Sequence, residues 1–316
     1  MVNMVHGLTV AIPAKTFILG EYAVLEGAGA LMLMSEPYFQ LQLQPMPRTF
    51  HAPTIPFHPK SPVAQLWQDD MVLLDGWKMV FIDPYRGLGG MGRSSAEFIG
   101  GWFAKHFLQF GEHDVRLSEL LKAYQTVCKP AAGLTPSGVD VVSQIVQGGF
   151  VEVPKDRLSV KSVQWPFDDV EVVLLHTRQH CATAQHLMDI TEVPKALSDL
   201  TFAGLKAFHA KQWDVFLMVL REFVMVQTSL GWLSDYSLAL IAFFEKLEGV
   251  YAVKGCGAMG ADVLAVFCTT AQRMSVMAQA RAQGLLPLAL GSMQKANGIT
   301  QAAVVMGNDR KPYGLV

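Results

Sequence analysis

Gly87-Leu88-Gly89-Gly90-Met91-Gly92-Arg93-Ser94-Ser95-Ala96 follows a short apolar run, Trp77 to Ile82, and opens the stretch that ends at Phe110. Within that stretch Phe98, Ile99, Trp102, Phe103 and Phe107 recur at i, i+3 and i+4, with His106 on the same face, which predicts an amphipathic helix over Ser94 to Phe110. Gly87 to Gly92 satisfies G-x-G-x-x-G, but that fingerprint belongs to a βαβ unit whose helix is followed by a second apolar strand. Here the helix runs into polar Gly111-Glu112-His113-Asp114, so a nicotinamide or flavin site is set aside. Small residues still let backbone N–H groups approach an anion, and the helix adds the positive end of its dipole. A phosphate is the expected guest; glycines present only to make a tight turn are the alternative.

Working outward, Leu8 to Ile12, Thr16 to Leu19, Ala30 to Met34 and Phe39 to Leu43 read as short strands separated by proline and glycine. Leu117 to Cys128 and Val139 to Val146 read as helices, and Gly148-Gly149 turns into a strand at Phe150-Val151-Glu152-Val153. The second half opens with strands at Val160 to Val163 and Val170 to His176. Helices are expected at Ala182 to Met188, Pro194 to His209, Trp213 to Leu230 and Tyr236 to Leu247. Phe216, Leu217, Leu220, Phe223 and Val224 line one face of the third of these. A strand, a turn, a strand and a helix at Ala271 to Gln283 close the pattern. Strands and helices in mixed runs, without strict alternation, predict an α+β fold.

A chain of 316 residues exceeds the usual size of a single core, so two domains are expected, 1–154 and 155–316, divided near Pro154. Hydrophobic residues make up 51% and charged residues 16%, the reverse of the balance that keeps a chain disordered. Lys and Arg number 25 against 27 Asp and Glu, a formal net charge of −2 with no basic run, so a nucleic-acid partner is not expected. The richest apolar stretches are broken by Glu245-Lys246 and by Pro287, so no membrane span is expected. The opening MVNMVHGLTVAIPAK lacks the pattern of an export signal, and Cys128, Cys181, Cys256 and Cys268 make no C-x-x-C pair. Reduced thiols and a cytoplasmic location are the expectation.

Two further clusters mix glycine with polar residues. Gly133-Leu134-Thr135-Pro136-Ser137-Gly138-Val139-Asp140 is a turn that sets Asp140 just inside a helix, where a carboxylate also serves the helix dipole. Lys254-Gly255-Cys256-Gly257-Ala258-Met259-Gly260-Ala261-Asp262 is a small-residue turn between apolar segments. Together with Pro13-Ala14-Lys15-Thr16-Phe17-Ile18-Leu19-Gly20-Glu21-Tyr22-Ala23-Val24, these clusters resemble the motifs of the GHMP kinase superfamily, in the family's order and over nearly the whole chain. PAKTFILGEYAV is similar to P-x-K-x-x-L-x-G-E-[HY]-x-V, and GMGRSSA to G-L-G-S-S-A. PSGVD with its later double glycine is similar to the catalytic-aspartate segment, and KGCGAMGAD to K-x-x-G-A-G-G-G-[DG].

The resemblance implies a two-domain GHMP-kinase-like fold, with an N-terminal nucleotide-binding domain, and a kinase that uses ATP and Mg²⁺. It implies that Gly90, Met91, Gly92, Arg93, Ser94 and Ser95 wrap the triphosphate, with Ser94 also a Mg²⁺ ligand. Asp140 becomes the base that acts on or orients the acceptor, beside Lys15. Glu21, Tyr22, Ser137, Gly138, Arg178, Thr183, Gly257, Ala258 and Gly260 fall on the substrate side; Arg178 could meet a substrate phosphate or carboxylate bidentately, an exposed solvated arginine being the alternative. The implied partner is a small molecule: phosphomevalonate, mevalonate or a related alcohol. A homodimer is left open.

The departures are specific. Arg93 stands where a first serine is usual, and Met259 and Ala261 replace glycines. Ala123 to Pro130 holds no counterpart of the Mg²⁺-binding glutamate of mevalonate kinases. Gly20-Glu21-Tyr22, Val141 and Asp262 lean toward phosphomevalonate kinase, while Pro136-Ser137-Gly138 leans toward mevalonate kinase. Homoserine and sugar kinases, and a GHMP-like protein that binds metabolite without efficient transfer, are the alternatives. His176, His180, Cys181 and His186 stand close in sequence, yet His176 ends an apolar strand and no carboxylate completes a zinc set.

Overall fold

The computed structural model describes residues 7–47, 53–111, 116–129, 136–146, 148–179, 192–257, 262–288 and, for the backbone, 304–306. Strand β1 (Leu8–Leu19) pairs antiparallel with β2 (Ala30–Pro45), and β2 also pairs with β3 (Trp77–Ile82) and β4 (Gly149–Val153). With β5 (Lys161–Val163), and β10 (Val304–Met306) beside β1, these make a six-stranded sheet in the order β10-β1-β2-β4-β5, β3 lying off that path. Two of its strands, β5 and β10, come from beyond residue 154. A second sheet has the order β7-β8-β6-β9, built from β6 (Val170–His176), β7 (Val250–Cys256), β8 (Val263–Thr269) and β9 (Leu286–Pro287). All pairings in both sheets are antiparallel, which with the helices makes the fold α+β.

Both prolines expected to break the first strands are absorbed instead. The β1–β2 register shifts between Ile12 and Ala14, leaving Pro13 out of the ladder, so Leu8 to Leu19 is one strand and not two. Pro37 likewise falls between the pairs Ala14↔Ser35 and Ile12↔Phe39, and β2 continues through it. A proline lacks the N–H that a ladder needs, and a bulge is where a strand tolerates that loss. Leu8, Val10, Ile12, Ala14 and Ile18 of β1 are buried, while Lys15 and Phe17 are half-buried on the other face.

Helices α1 (Pro62–Trp67), α2 (Arg93–Phe110), α3 (Leu117–Val127) and α4 (Val139–Ser143) accompany the first sheet. Phe98, Ile99, Trp102 and Phe103 of α2 are buried as the periodicity predicts. Trp67 of α1 donates its indole N–H to the carbonyl of Gly101 at 3.1 Å. Helix α4 stops at Ser143, short of the expected Val146, with Gln144 as its cap. The expected helix at Ala182 to Met188 lies outside the described residues.

Helices α5 (Lys195–His209), α6 (Trp213–Ser229), α7 (Asp235–Phe244) and α8 (Arg273–Ala282) complete the second half. Leu240, Ile241 and Phe244 of α7 and Val276 and Ala280 of α8 share a core with Val253, Leu264 and Val266 of the second sheet. On α6 the buried face is Phe216, Val219, Leu220, Phe223 and Gln227, with Leu217 and Val224 at its margins. Trp165 joins the two sheets: its ring centroid lies 4.6 Å from Phe150 of β4 and 6.2 Å from Phe267 of β8. Large rings bury much apolar area each, so this contact is a strong tie between the layers.

Candidate active site

Lys15 and Asp140 meet. Nζ of Lys15 lies 3.0 Å from Oδ2 of Asp140, with the lysine side chain 12% and the carboxylate 37% exposed. Strand β1 brings the lysine, on the face opposite its core residues, and the ring of Phe17 lies 4.9 Å from the ammonium. The turn before α4 brings the aspartate: Gly138 has φ 72, a left-handed conformation suited to glycine, and Ser137 Oγ accepts the N–H of Val139 at 3.3 Å.

The glycine loop closes over the same place. Gly92 caps α2 with φ 80, and a Cβ there would stand 2.7 Å from Lys15 Cγ, so only glycine lets this backbone approach the lysine. The N–H of Lys15 donates to the carbonyl of buried Met91 at 3.1 Å. Ser94 is exposed at the start of α2, whereas Ser95 turns inward, sharing its hydroxyl hydrogen between the carbonyl of Gly92 and Oε1 of Gln144. Arg93 is drawn to two carboxylates, with Nε 2.8 Å from Glu97 Oε1 and Nη1 3.4 Å from Asp83 Oδ2. Asp83 in turn accepts the N–H groups of Tyr85 and Gly87, fixing the entry to the loop. Burial pushes the Glu97 carboxyl above its ordinary range, with Arg93 opposing that shift.

Sequence reasoning missed Gln144. Its Nε2 donates to the carbonyl of Pro13 at 2.7 Å and to that of Gly92 at 3.2 Å, and its Oε1 takes the hydrogen of Ser95. One buried amide thus fastens β1, the glycine loop and α4 to one another. The available signal was a lone amide inside the apolar run Val141-Val142-Ser143-Gln144-Ile145-Val146.

Glu21 and Tyr22 are placed inward. Glu21 pairs with Lys254 of β7, whose side chain has no exposed surface, and burial pushes the Glu21 carboxyl up while Lys254 opposes it. Tyr22 is 7% exposed and its ring centroid lies 4.5 Å from that of Trp232, the two rings tilted at 45°. Through Glu21, Lys254 joins the first motif to the third. Cys256 stands 3.9 Å from the Lys254 ammonium, and burial pushes its thiol up to about 12.

The second sheet reaches the loop through two residues. His176, at the end of β6, contacts the carbonyl of Gly89 at 3.0 Å, and Asp262 packs so closely on Gly90 that no Cβ fits there. Gly257, with φ 87, abuts the same aspartate. Arg178 is exposed in the turn after β6. Thr183, Ala258 and Gly260 lie outside the described residues, as do His180, Cys181 and His186. Among the described residues no group of three His, Cys, Asp or Glu side chains is arranged to hold a metal, and no helix is long and apolar enough to cross a membrane. Cys128, Cys256 and Cys268 are free thiols.

An ammonium and a carboxylate beside the N-terminus of an 18-residue helix can stabilise a transferring anion and orient a nucleophile. The donors also suit a nucleotide–Mg²⁺ complex. Mg²⁺ takes one or two protein oxygens alongside phosphates and water, and the exposed hydroxyl of Ser94 offers such an oxygen.

No family model and no curated protein matches the chain by sequence. Solved structures do match by shape. A Lin0012 protein from Listeria innocua aligns with a TM-score of 0.73 at 17% identity, over 96% of this chain and 100% of that one. Streptococcus pneumoniae phosphomevalonate kinase, in complex with phosphomevalonate and AMPPNP, aligns at 0.69 and 14% identity, over 90% and 99%. Methanococcus jannaschii mevalonate kinase aligns at 0.68 and 12%, over 92% and 100%. Aligned over nearly their whole length, these structures show that this chain has the fold of the GHMP kinases.

Proposed function

We propose that the chain is an ATP- and Mg²⁺-dependent kinase of a small alcohol or phosphorylated acid, with phosphomevalonate preferred over mevalonate. The observation that carries this reading is the Lys15–Asp140 pair, 3.0 Å apart and tied through the Lys15 N–H to the loop that opens α2. Residues 1–154 would supply the nucleotide half and 155–316 the second half. Backbone N–H groups from Gly90 to Ser95 would bind the triphosphate, and Ser94 would hold the cation, which would neutralise phosphate charge. Asp140 orients the acceptor oxygen and takes its proton where it has one; Lys15 stabilises the charge that develops beside it. Arg178, exposed after β6, meets the acceptor's phosphate or carboxylate with its planar fork. The phosphomevalonate preference rests on Gly20-Glu21-Tyr22, Val141 and Asp262 in the sequence, and on this second cation.

A coupled ADP-release assay across mevalonate, phosphomevalonate, homoserine and several sugars tests the reading. Mg²⁺-dependent release with the highest kcat/KM for phosphomevalonate is expected; a higher value for mevalonate reverses the ranking and leaves the kinase reading intact. Nucleotide binding without transfer to any acceptor would favour a metabolite-binding protein. The observation on that side is Arg93, held by Asp83 and Glu97 at the mouth of the loop.

A further inference from the structure

We propose that His176 is a positioning residue that holds the glycine loop and the Arg178 turn in one arrangement, so that the nucleotide side and the acceptor side of the site depend on a single imidazole. This deepens the kinase reading and rests on it for its kinetic test. The ring is fully buried at the end of β6, where its backbone is paired with Val263 of β8 and Leu286 of β9.

Its two nitrogens face opposite tasks. Nδ1 accepts the N–H of Arg178 at 2.8 Å, so Nδ1 carries no proton; Nε2 therefore carries it and donates to the carbonyl of Gly89 at 3.0 Å. The first bond holds Arg178 at φ 63, a left-handed conformation that a residue with a long side chain seldom adopts alone. The rest of the turn is fastened independently. Thr177 donates from N and from Oγ1 to the carbonyl of Asp262, at 3.0 and 3.1 Å, and Thr177 Oγ1 accepts the N–H of Gln179 at 3.1 Å. What His176 adds is the direction of Arg178 on one side and the seat of Gly89 on the other.

Two amide side chains separate the tasks. In His176→Gln the amide nitrogen reaches where Nε2 stood and keeps the Gly89 bond, whereas in His176→Asn the amide oxygen takes the place of Nδ1 and keeps the Arg178 bond. His176→Leu keeps neither. One hydrogen bond in such a setting is worth a factor of about five in an equilibrium constant. The Gln variant is therefore expected to raise KM for the acceptor about fivefold at nearly unchanged KM for ATP, the Asn variant to do the reverse, and the Leu variant to raise both.

Equal shifts of both KM values in the Gln and Asn variants, or no shift in a folded Leu variant, would overturn the proposal. A second readout needs no turnover: nitrogen NMR of ¹⁵N-histidine-labelled protein should show His176 neutral with its proton on Nε2, and a proton on Nδ1 would overturn the proposal as well. Should no acceptor be phosphorylated, the kinase reading fails; the ring's tautomer and calorimetric binding of Mg-AMPPNP to the Asn and Gln variants still decide the role of His176.

Discussion

Gln144 donates from Nε2 to the carbonyl of Pro13 at 2.7 Å, and that bond fixes where Lys15, two residues further along β1, meets the loop and α4. Proline 13 lies outside the ladder, so its carbonyl needs this partner. In Gln144→Leu the buried carbonyl of Pro13 loses the donor that Gln144 supplies, whereas that of Gly92 keeps the N–H of Ala96, and an unpaired buried polar group costs about 1–3 kcal/mol. Urea unfolding should show a loss of that size; a variant as stable as the parent would show that water or another group serves the Pro13 carbonyl.

Glu21 and Lys254 make a buried ion pair whose second carboxylate oxygen, Oε2, is buried without a hydrogen bond. Removing one partner strands the other charge, at a cost of about 3–5 kcal/mol, while a matched apolar pair avoids that penalty. Lys254→Met alone should lower the unfolding midpoint strongly, and Glu21→Leu with Lys254→Met should recover much of the loss. A double variant as weak as the sum of its singles would contradict the pairing.

Alkaline pH probes the same pocket. The Cys256 thiol moves from 9.0 to about 12 because burial disfavours its thiolate. The folded state thus holds this proton more tightly than the unfolded chain does. Its contribution is complete below about pH 9 and fades as pH rises toward 12. Thermal melts over that window should fall more steeply for the parent than for Cys256→Ala; identical slopes would mean the thiol ionises freely.

Ser94 is the exposed hydroxyl at the start of α2. Ser94→Ala should weaken calorimetric binding of Mg-ATP by about tenfold or less, in keeping with one lost oxygen ligand among several, and leave metal-free ATP nearly unaffected. Equal weakening of both would assign the hydroxyl to phosphate instead of the cation.

Periodicity and turn residues made most of the fold legible: Val170 to His176 is a strand over the expected residues, and the helix after the glycine cluster starts one residue early, at Arg93. The first strands were misjudged because proline was read as a stop, whereas register shifts carry β1 past Pro13 and β2 past Pro37. Of the site, Lys15 and Asp140 were legible through the resemblance of PAKTFILGEYAV and PSGVD to kinase motifs, since by itself Asp140 reads as a carboxylate serving a helix dipole. Gln144, His176 and Lys254 were not, since each acts through a partner far away in the chain. No local pattern encodes which carbonyl a buried amide will find.

The claim on which the rest depends is that Lys15 and Asp140 act as one catalytic unit, and a double-mutant cycle in kcat measures it directly. Loss of general-base help costs about 10²–10⁴ in rate, so Asp140→Asn and Lys15→Met should each lower kcat on the best acceptor within that range, with ATP affinity nearly unchanged. Groups that act together are strongly non-additive, so the double variant should be little worse than the poorer single. Full turnover in Asp140→Asn, or two losses that multiply as independent effects, would contradict the account.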